Sequence, residues 1–236
     1  MQHISFLKAE KSYEKNAIVQ EYMANTLLDI LKDYTLSFDN IFEFGCGFGK
    51  FSKKLIANLE FKSLDCVDVN DYKLDFLAEN VKFSKLDMNE LQNSAFIHQK
   101  FDLLTSNACL QWLDFKKSFE AFKKMMGDKS LLLVSTFSEG NLIQIKQSTG
   151  FTLDYLSLEQ MKNILCKDFE PLYLADESYE LKFDSALSVF KHLKLSGVNS
   201  LGRFFLSKAF LKDFESKFAN TITYRPCFIL CKKRIN

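Results

Sequence analysis

The sequence is poor in proline, glycine and tryptophan, and it contains no long apolar run. Only two of its 236 residues are prolines and eight are glycines, which excludes proline-rich linkers, collagen-like repeats and low-complexity segments. No stretch approaches the roughly 20 apolar residues that a membrane-spanning helix needs. The first 20 residues show neither an apolar core nor a small-residue cleavage site, so we expect no signal peptide and a cytoplasmic location.

Charge and cysteine usage narrow the class of protein further. The formal net charge is +1, which gives no global attraction to nucleic acid. The six cysteines have neither the spacing of metal ligands nor that of a compact disulfide framework, so we expect reduced thiols and no bound metal. A hydrophobic fraction of 47%, with 25 phenylalanines, supplies a large core. The length favours a single domain over residues 1–236 that carries an insertion.

Apolar periodicity divides the first 150 residues into alternating helices and strands. A helical pattern covers 14–34, and strands follow at IFEF, SLDCVDV, VKFSKLD, FDLLTSNA and SLLLVSTF. Helices are predicted between these strands at 50–59, 72–80 and 115–126, and Gly127 suits the position that ends the last of them. This alternation predicts an α/β fold with a doubly wound, mainly parallel sheet.

Past residue 150 the pattern changes. SLEQ at 157–160 is a capping box that opens a helix through Cys166. EPLYLADESYELKF reads as a strand, and TITYRPCFILCKK reads as a final extended segment in which Pro226 indicates a bulge or an edge position. Two helical patterns lie between these strands, the first of which Asp184 is suited to cap. We expect them to form an inserted helical lid over about 184–217.

Three glycines, at 45, 47 and 49, follow the first strand in EFGCGFGK. A dinucleotide fingerprint needs a small residue where Lys50 stands, a P-loop has a different spacing, and a purely structural turn is the remaining plain alternative. The pattern resembles motif I of class I S-adenosylmethionine methyltransferases, in which glycines let the cofactor approach the backbone. The resemblance implies a Rossmann-like class I methyltransferase fold and S-adenosyl-L-methionine as cofactor.

Polar residues at the ends of the next strands agree with this interpretation. Asp68 ends the second strand, where a carboxylate can accept both ribose hydroxyls of a nucleotide. Asp87 and Met88 follow the third strand and match the adenine-binding position of the methyltransferases, and Asn107 follows the fourth. Taken singly, each is equally well a solvated loop residue or a helix cap. The expected cofactor-binding residues are Glu43, Gly45, Cys46, Gly47, Gly49, Asp68, Asp87, Met88 and Asn107.

Four further segments resemble the malonyl-[acyl-carrier protein] O-methyltransferases of biotin synthesis. SNACLQW (106–112) is similar to the S-N-x-x-L-Q-W signature of that family, and SYEKNAIVQ (12–20) to its T-Y-x-x-x-A-x-x-Q. STFSEGNLIQI (135–145) and FKHLKLSGVNS (190–200) are similar to its S-T-x-x-x-G-T-L-x-E-L and R-H-L-K-x-x-G-x-N. Two positions depart from the family: Asn141 stands in place of the usual Thr, and Phe190 in place of the usual Arg.

The resemblance implies an enzyme that methylates the free carboxylate of malonyl-acyl-carrier protein, or of the coenzyme A thioester, to start pimeloyl chain synthesis. A malonyl carboxylate is already ionised at pH ~7, so no general base is expected, and the rate should come from holding the reacting atoms in line. The alternatives are another small carboxylic acid or a quinone-type acceptor, and a catalytically silent methyltransferase-like binding module. Nucleic acid modification would need a basic face that the net charge does not indicate.

The residues that would contact the methyl group and the methyl acceptor are predicted less directly than the cofactor-binding residues. The resemblance to the malonyl-[acyl-carrier protein] O-methyltransferases implies that an N-terminal helical cap, here about 8–34, folds over the cofactor and brings Tyr13 near the methyl group, with ordinary helix packing as the alternative. Trp112 is expected either beside the sulfonium as a cation–π partner or in the core. A helical wheel points His192 away from the apolar face of its helix. Candidates for the substrate's charged end and the acidic carrier, or else solvated charges, are His192, Lys194, Arg203 and Lys191.

Overall fold

The computed structural model describes residues 17–196 and 205–234, which divide into two compact units. The larger unit comprises Gln20–Thr136, Ser157–Ala175 and 227–234. The smaller unit comprises 17–19, Phe137–Leu156 and the described part of Asp176–Pro226. The predictions for Tyr13 and Arg203 fall outside the described residues.

A mainly parallel sheet forms the core of the larger unit. In chain order, the strands of the described residues are β1 (Ser37–Phe44), β2 (Glu60–Asp68), β3 (Val81–Lys85), β4 (Phe101–Ser106), β5 (Met126–Phe137), β6 (Phe169–Asp176), β7 (Tyr179–Lys182), β8 (Thr221–Tyr224) and β9 (Pro226–Lys233). The order across the sheet is β3-β2-β1-β4-β5-β9-β6. β1 runs parallel to β2 and β4, and the β2–β3 and β4–β5 pairs are also parallel. The predicted doubly wound α/β fold is confirmed.

Helices alternate with these strands. They are α1 (Ile18–Lys32), α2 (Lys50–Asn58), α3 (Phe115–Met125), α4 (Ile143–Thr149), α5 (Leu158–Leu165), α6 (Ala186–Leu195) and α7 (Lys208–Phe218). The predicted capping box is present at α5, where Ser157 and Gln160 exchange hydrogen bonds between side chain and backbone. Among the described helices, none has the length and apolar character to cross a bilayer.

Phenylalanines fill the core of the larger unit. α3 buries Phe119 and Phe122, and the ring of Phe119 meets that of Phe169 on β6 edge to face at 5.5 Å. On β1, the ring centroid of Phe44 lies 4.9 Å from that of Phe122. Such aromatic contacts add to the free energy that burial itself supplies. They fix the end of β1, where the glycine loop begins.

The helix predicted over 72–80 does not form. These residues make turns and an isolated bridge between Ala78 and Val81. Tyr72 is buried against Phe48, with 4.7 Å between ring centroids, and Phe76 packs against the backbone of Gly49. So short a helix gains little from its own hydrogen bonds, and these ring contacts hold the chain on an irregular path instead.

The predicted role of Gly127 is also wrong. α3 ends at Met125, and Met126 already has the extended conformation that begins β5. Gly127 is therefore a strand residue, and its N–H donates to the Ser130 hydroxyl at 2.7 Å. Helix and strand follow one another without a left-handed glycine between them.

The final extended segment divides at Arg225 into β8 and β9. β9 lies between β5 and β6, so the predicted edge position of Pro226 is wrong. Pro226 is the first residue of β9, and there a missing N–H disturbs the ladder least.

The smaller unit contains a two-stranded sheet and two helices that lie between its strands in sequence. β7 pairs antiparallel with β8, with Tyr179 opposite Tyr224. α6 packs on α7 through Phe190, whose ring centroid lies 5.2 Å from that of Phe214. Ser185, rather than the predicted Asp184, caps α6 by accepting the N–H of Ser188. The function of these helices as a lid stays a prediction.

Candidate functional site

The strand order of the larger sheet reverses between β1 and β4. These strands are neighbours, with Glu43 opposite Thr105, while β2 lies on one side of them and β5 on the other. In open α/β sheets, ligands bind outside the carboxyl ends of the strands at such a reversal. The glycine loop follows β1 and Asn107 follows β4, so the chain brings two predicted site segments to this point.

The glycine loop is tied to the end of β2. The N–H groups of Gly45 and Cys46 both donate to the carbonyl oxygen of Val67, at 2.8 and 3.2 Å. The N–H of Gly47 donates to Oδ2 of Asp68 at 3.0 Å. The loop and the carboxylate predicted to bind ribose therefore form one hydrogen-bonded assembly.

Gly45 and Gly47 differ in what surrounds them. A Cβ at Gly45 would lie 2.4 Å from Sγ of Cys109, so the protein itself fills that space. A Cβ at Gly47 would meet no atom within 4 Å, and Gly47 has a φ of +54° that favours glycine. Gly47 thus exposes backbone to an open space where a ligand can approach, as a cofactor cradle requires.

Asp68 is buried at the end of β2 with acceptor capacity to spare. Its Oδ1 accepts the N–H of Asn70 at 2.9 Å, and its Oδ2 accepts the N–H of Gly47. Burial raises the pKa of Asp68, and the N–H groups of Asn70 and Gly47 oppose that rise. Each carboxylate oxygen accepts one of these hydrogen bonds and has a second lone pair that a ribose hydroxyl could use, although the Val69 N–H and the Asn70 side chain also act on this carboxylate. The residues present therefore fit a nucleoside cofactor.

Glu43 lies beneath the loop with 1% of its surface exposed. The thiol of Cys66 donates to its Oε2 at 3.4 Å. Burial raises the pKa of Glu43 to about 7, against the opposing effects of the neighbouring Ser52 hydroxyl and Cys66 thiol. Glu43 is therefore a buried group at the end of β1, and a direct contact with cofactor stays a prediction.

Asp87 caps the 3-10 helix Met88–Asn93. Its Oδ1 accepts both the backbone N–H and the side-chain amide of Asn89, each at 2.9 Å. Met88, the next residue, is buried. Asp87 is therefore a helix cap, as the alternative interpretation of the sequence allowed. Its proposed contact with adenine stays a prediction.

Asn107 joins three elements. Its Nδ2 donates to the carbonyl oxygen of Gln20 on α1 at 2.9 Å, and its Oδ1 accepts the hydroxyl of Ser135 on β5 at 2.7 Å. The half-buried Trp112 follows in the 3-10 helix Leu110–Trp112. Asn107 positions the loop after β4, while its contact with cofactor stays a prediction.

Thiols pack around the glycine loop. Cys46 is buried within the loop, and Cys109 lies against Gly45. Burial raises the pKa of Cys109 to about 12 and also raises that of Cys46. None of the six cysteines forms a disulfide. The thiols of Cys46 and Cys109 are protonated packing groups rather than nucleophiles.

The prediction for His192 is wrong about its direction. Only 6% of His192 is exposed, and its Nε2 lies 3.1 Å from the hydroxyl of Tyr224 on β8. Burial lowers the pKa of His192, which favours the neutral ring. The helical wheel wrongly predicted that His192 is exposed, because Tyr224 of β8 covers a second face of α6. Lys191 and Lys194 are exposed on that helix, as both a partner contact and solvated charges require, so their role stays a prediction.

Sequence reasoning missed a polar cluster in the smaller unit. Arg225 precedes β9, Asp176 ends β6, and Ser138 follows β5. The guanidinium donates from Nη2 to Oδ2 of Asp176 at 2.9 Å, and the Ser138 hydroxyl donates to the same oxygen. The rarity of arginine was the available signal, because Arg225 is one of only three arginines among 31 basic residues.

Comparison with known proteins reveals relatives that align with nearly all of this chain and nearly all of their own. A family model described as a methyltransferase domain matches residues 41–127. The malonyl-[acyl-carrier protein] O-methyltransferase of Haemophilus influenzae is 32% identical over 97% of this chain and 92% of its own length. The enzyme of the same name from Calditerrivibrio nitroreducens is 29% identical over 97% of this chain and 95% of its own length.

Solved structures share the fold at low sequence identity. The YcgJ protein of Bacillus subtilis has a TM-score of 0.64 at 10% identity, over 92% of this chain and all of its own. The N-methyltransferase NodS of Bradyrhizobium japonicum, solved with S-adenosyl-L-homocysteine, has a TM-score of 0.52 at 14% identity, over 91% of this chain and 87% of its own. These likenesses support the Rossmann-like architecture.

Proposed function

Because the chain belongs to the malonyl-[acyl-carrier protein] O-methyltransferase family, we propose that it methylates the free carboxylate of a malonyl thioester. The methyl donor is S-adenosyl-L-methionine. The observation that carries the proposal is the similarity to a named O-methyltransferase over nearly the whole chain, together with a glycine loop at the strand reversal. The methyl ester hides the charge of malonate, so that the chain can be elongated like an ordinary fatty acyl group on the way to biotin.

The larger unit supplies the residues that would hold the cofactor. Asp68 would accept the ribose hydroxyls, the open backbone at Gly47 would receive the methionyl part, and Asp87 with Met88 would border the adenine. The hydrogen bond from Gly47 to Asp68 means that the cradle and the ribose acceptor keep a fixed spacing. Preorganised donors and acceptors of this kind lower the entropy that binding must overcome.

The protein's task in the reaction is positioning. When bound, S-adenosyl-L-methionine would supply an electrophilic methyl group: a bond from a carboxylate oxygen to the methyl carbon replaces the C–S bond, whose electron pair leaves with the sulfur of S-adenosyl-L-homocysteine, and no proton moves. No acid–base dyad is needed, because the attacking carboxylate is ionised at pH ~7. Tyr13 and Trp112 are the proposed neighbours of the methyl group, while the buried His192 is left with a structural task. Alignment of the reacting atoms is then the main source of rate.

The carrier protein is the proposed form in which the malonyl group arrives. Acyl carrier proteins are acidic, and the exposed face of α6 carries Lys191 and Lys194. Neither lysine has a carboxylate partner within the described parts of the chain. The six cysteines form no disulfide, which agrees with a reducing compartment, and we place the reaction in the cytoplasm. The near-neutral net charge favours no nucleic acid partner.

Mass spectrometry of the product tests the proposal. The enzyme is incubated with S-adenosyl-L-methionine and malonyl-carrier protein, malonyl-coenzyme A, a free dicarboxylic acid or a quinone-type acceptor. We expect one added methyl group, carried as an ester on the malonyl carboxylate. Mild base should hydrolyse this ester and remove the methyl group. A methyl group on carbon or nitrogen, or turnover confined to the other acceptors, would overturn the substrate assignment. Cofactor binding without turnover of any acceptor would favour a binding module.

A further inference from the structure

One residue beside the strand reversal has a strained backbone. Ala108, two residues after β4, has a φ of +53°, in the left-handed region that residues with a side chain seldom adopt. A left-handed residue is common at the end of a helix, and Ala219, with a φ of +48°, ends α7 in this way. Ala108 ends no helix, so its strain has another origin. Such strain persists only where the surrounding structure imposes it, and it concentrates at functional sites.

Hydrogen bonds from β5 and from the following 3-10 helix hold Ala108 in this conformation. Its N–H is shared between the hydroxyl oxygen of Ser135, at 3.0 Å, and the carbonyl oxygen of Ser135, at 3.2 Å. Its carbonyl oxygen accepts a hydrogen bond from Nε2 of Gln111 at 2.7 Å. Oε1 of Gln111 in turn accepts the hydroxyl of Thr136 at 3.3 Å. Both polar backbone groups of Ala108 are therefore paired with groups that β5 supplies or supports.

Ser135 uses its hydroxyl twice. The side chain is fully buried on β5, and while its oxygen accepts the N–H of Ala108, its hydrogen is donated to Oδ1 of Asn107 at 2.7 Å. Asn107 also donates from Nδ2 to the carbonyl oxygen of Gln20 on α1. One buried hydroxyl thus fixes two consecutive residues of the loop after β4 and connects that loop to α1.

The strained turn lies between two residues that contact different parts of the larger unit. Before the turn, Asn107 reaches α1 and β5. After it, Cys109 lies against the glycine loop and fills the space beside Gly45. The start of the loop is tied to the end of β1, because the Ser106 hydroxyl donates to the carbonyl oxygen of Phe44 at 2.6 Å. A change of φ in the turn would therefore move Cys109 relative to the first glycine of the cofactor loop.

We infer that Ser135 is a positioning residue for S-adenosyl-L-methionine: it holds the strained turn at Ala108, and with it Cys109 beside the glycine loop, in the shape that cofactor binding requires. The inference rests on the proposed cofactor site at that loop. Because the turn is fixed in advance, cofactor binding does not have to order it. Without the Ser135 hydroxyl the backbone strain would be released, and the loop after β4 would leave this shape.

The test is the rescue of a Ser135 variant by a glycine that removes the strain. Ser135→Ala should raise the dissociation constant of S-adenosyl-L-methionine, measured by calorimetry, about 10-fold, the effect of a lost buried hydrogen bond. Ser135→Ala/Ala108→Gly should return that constant to within about threefold of the wild type, because glycine keeps the left-handed conformation without being held in it.

Ser135→Ala/Ala219→Gly is the matched control. Each glycine replaces a left-handed alanine, so each should raise the melting temperature of Ser135→Ala by about 2–4 °C. Only Ala108→Gly should restore cofactor affinity, because Ala219 ends α7 in the smaller unit. Equal recovery of affinity in the two double variants would show that Ser135 acts through overall stability, and would overturn the inference.

Gln111→Ala carries the test if Ser135→Ala does not fold. It removes a different hydrogen bond of the same turn and should weaken cofactor binding about threefold, a loss that Ala108→Gly should again relieve. Unchanged affinity in a folded single variant, or no recovery on adding Ala108→Gly, would overturn the positioning role alone. A wild-type protein that does not bind S-adenosyl-L-methionine would overturn the proposed function as well.

Discussion

At the scale of single residues, the glycine loop separates packing from ligand access. The space at Gly45 is filled by Cys109, and the space at Gly49 by the ring of Phe76, whereas Gly47 faces an opening. The glycines of this motif therefore have two different functions: Gly45 and Gly49 make room for side chains of the protein, and Gly47 leaves space for a ligand. Only the structure distinguishes a glycine that accommodates the protein from one that accommodates a ligand.

Substitution of Gly47 by alanine tests that distinction. We expect Gly47→Ala to weaken S-adenosyl-L-methionine binding tenfold or more, since the new methyl group enters the space meant for the cofactor. Gly150→Ala is the matched control, because Gly150 also has a positive φ (+75°) and no atom within 4 Å of a Cβ. Both variants should lose about 1–2 kcal/mol of stability from backbone strain. Calorimetry that finds equal cofactor affinity in the two variants would contradict the assignment.

Glu43 provides a prediction about pH. Its pKa is about 7 in the folded protein against 4.5 ordinarily, so folding favours the protonated carboxyl. That contribution is complete below pH ~4.5 and is lost as pH rises through ~7. Relative to Glu43→Gln, the wild type should therefore lose up to about 3 kcal/mol of unfolding free energy between pH ~5 and ~8.

Urea unfolding at several pH values measures this difference. Glu60→Gln, an exposed position at the start of the neighbouring strand β2, is the control and should follow the wild type. Curves for wild type and Glu43→Gln that run parallel across the whole range would show that Glu43 is ionised in the folded state.

At the scale of elements, sequence reasoning succeeded wherever periodicity was long or a motif specified a turn. β1 to β5, α3 and the capping box at Ser157 all follow from local pattern and side-chain chemistry. The strand ends fixed by these elements also identified the positions of Asp68 and Asn107. Local signals were sufficient because adjacent strands and helices pack against each other in the order of the chain.

Apart from the local errors at Gly127 and Asp184, the errors came from contacts between segments that are distant in sequence. Residues 72–80 have helical spacing, but Tyr72 and Phe76 are held by rings and backbone of the glycine loop. His192 looked exposed on a wheel because a wheel has one apolar face, whereas α6 also packs against Tyr224. The Arg225–Asp176 pair joins residues 49 positions apart, and no sequence pattern around either residue indicates the other as its partner.

The exposed face of α6 provides an element-scale prediction. Leu187 is 57% exposed, and Lys191 and Lys194 follow it at i+4 and i+7 on the same side of the helix. We expect Lys191→Glu and Lys194→Glu each to raise the KM for malonyl-carrier protein about fivefold, while the KM for malonyl-coenzyme A changes little. Lys129→Glu, an exposed lysine at the start of β5, is the control. Equal effects at all three positions would assign the result to net charge alone.

At the scale of the whole molecule, charge is nearly balanced and steering must be local. With 31 basic and 30 acidic residues, the net charge of +1 attracts an acidic partner only weakly. Any salt dependence of carrier recognition must then come from an uneven distribution of charge. The lysines of α6 are our candidates for the source of that unevenness.

Raising the salt concentration tests this interpretation on the intact enzyme. Screening shortens the reach of exposed charges to ~8–10 Å at physiological ionic strength and to ~3 Å at 1 M. The apparent KM for malonyl-carrier protein should therefore rise steeply with salt, and that for malonyl-coenzyme A much less. In the double variant Lys191→Glu/Lys194→Glu the slope for the carrier should flatten or reverse, because attraction has become repulsion. A slope that survives in the double variant would place the docking surface elsewhere on the molecule, with the α6 lysines as solvated charges.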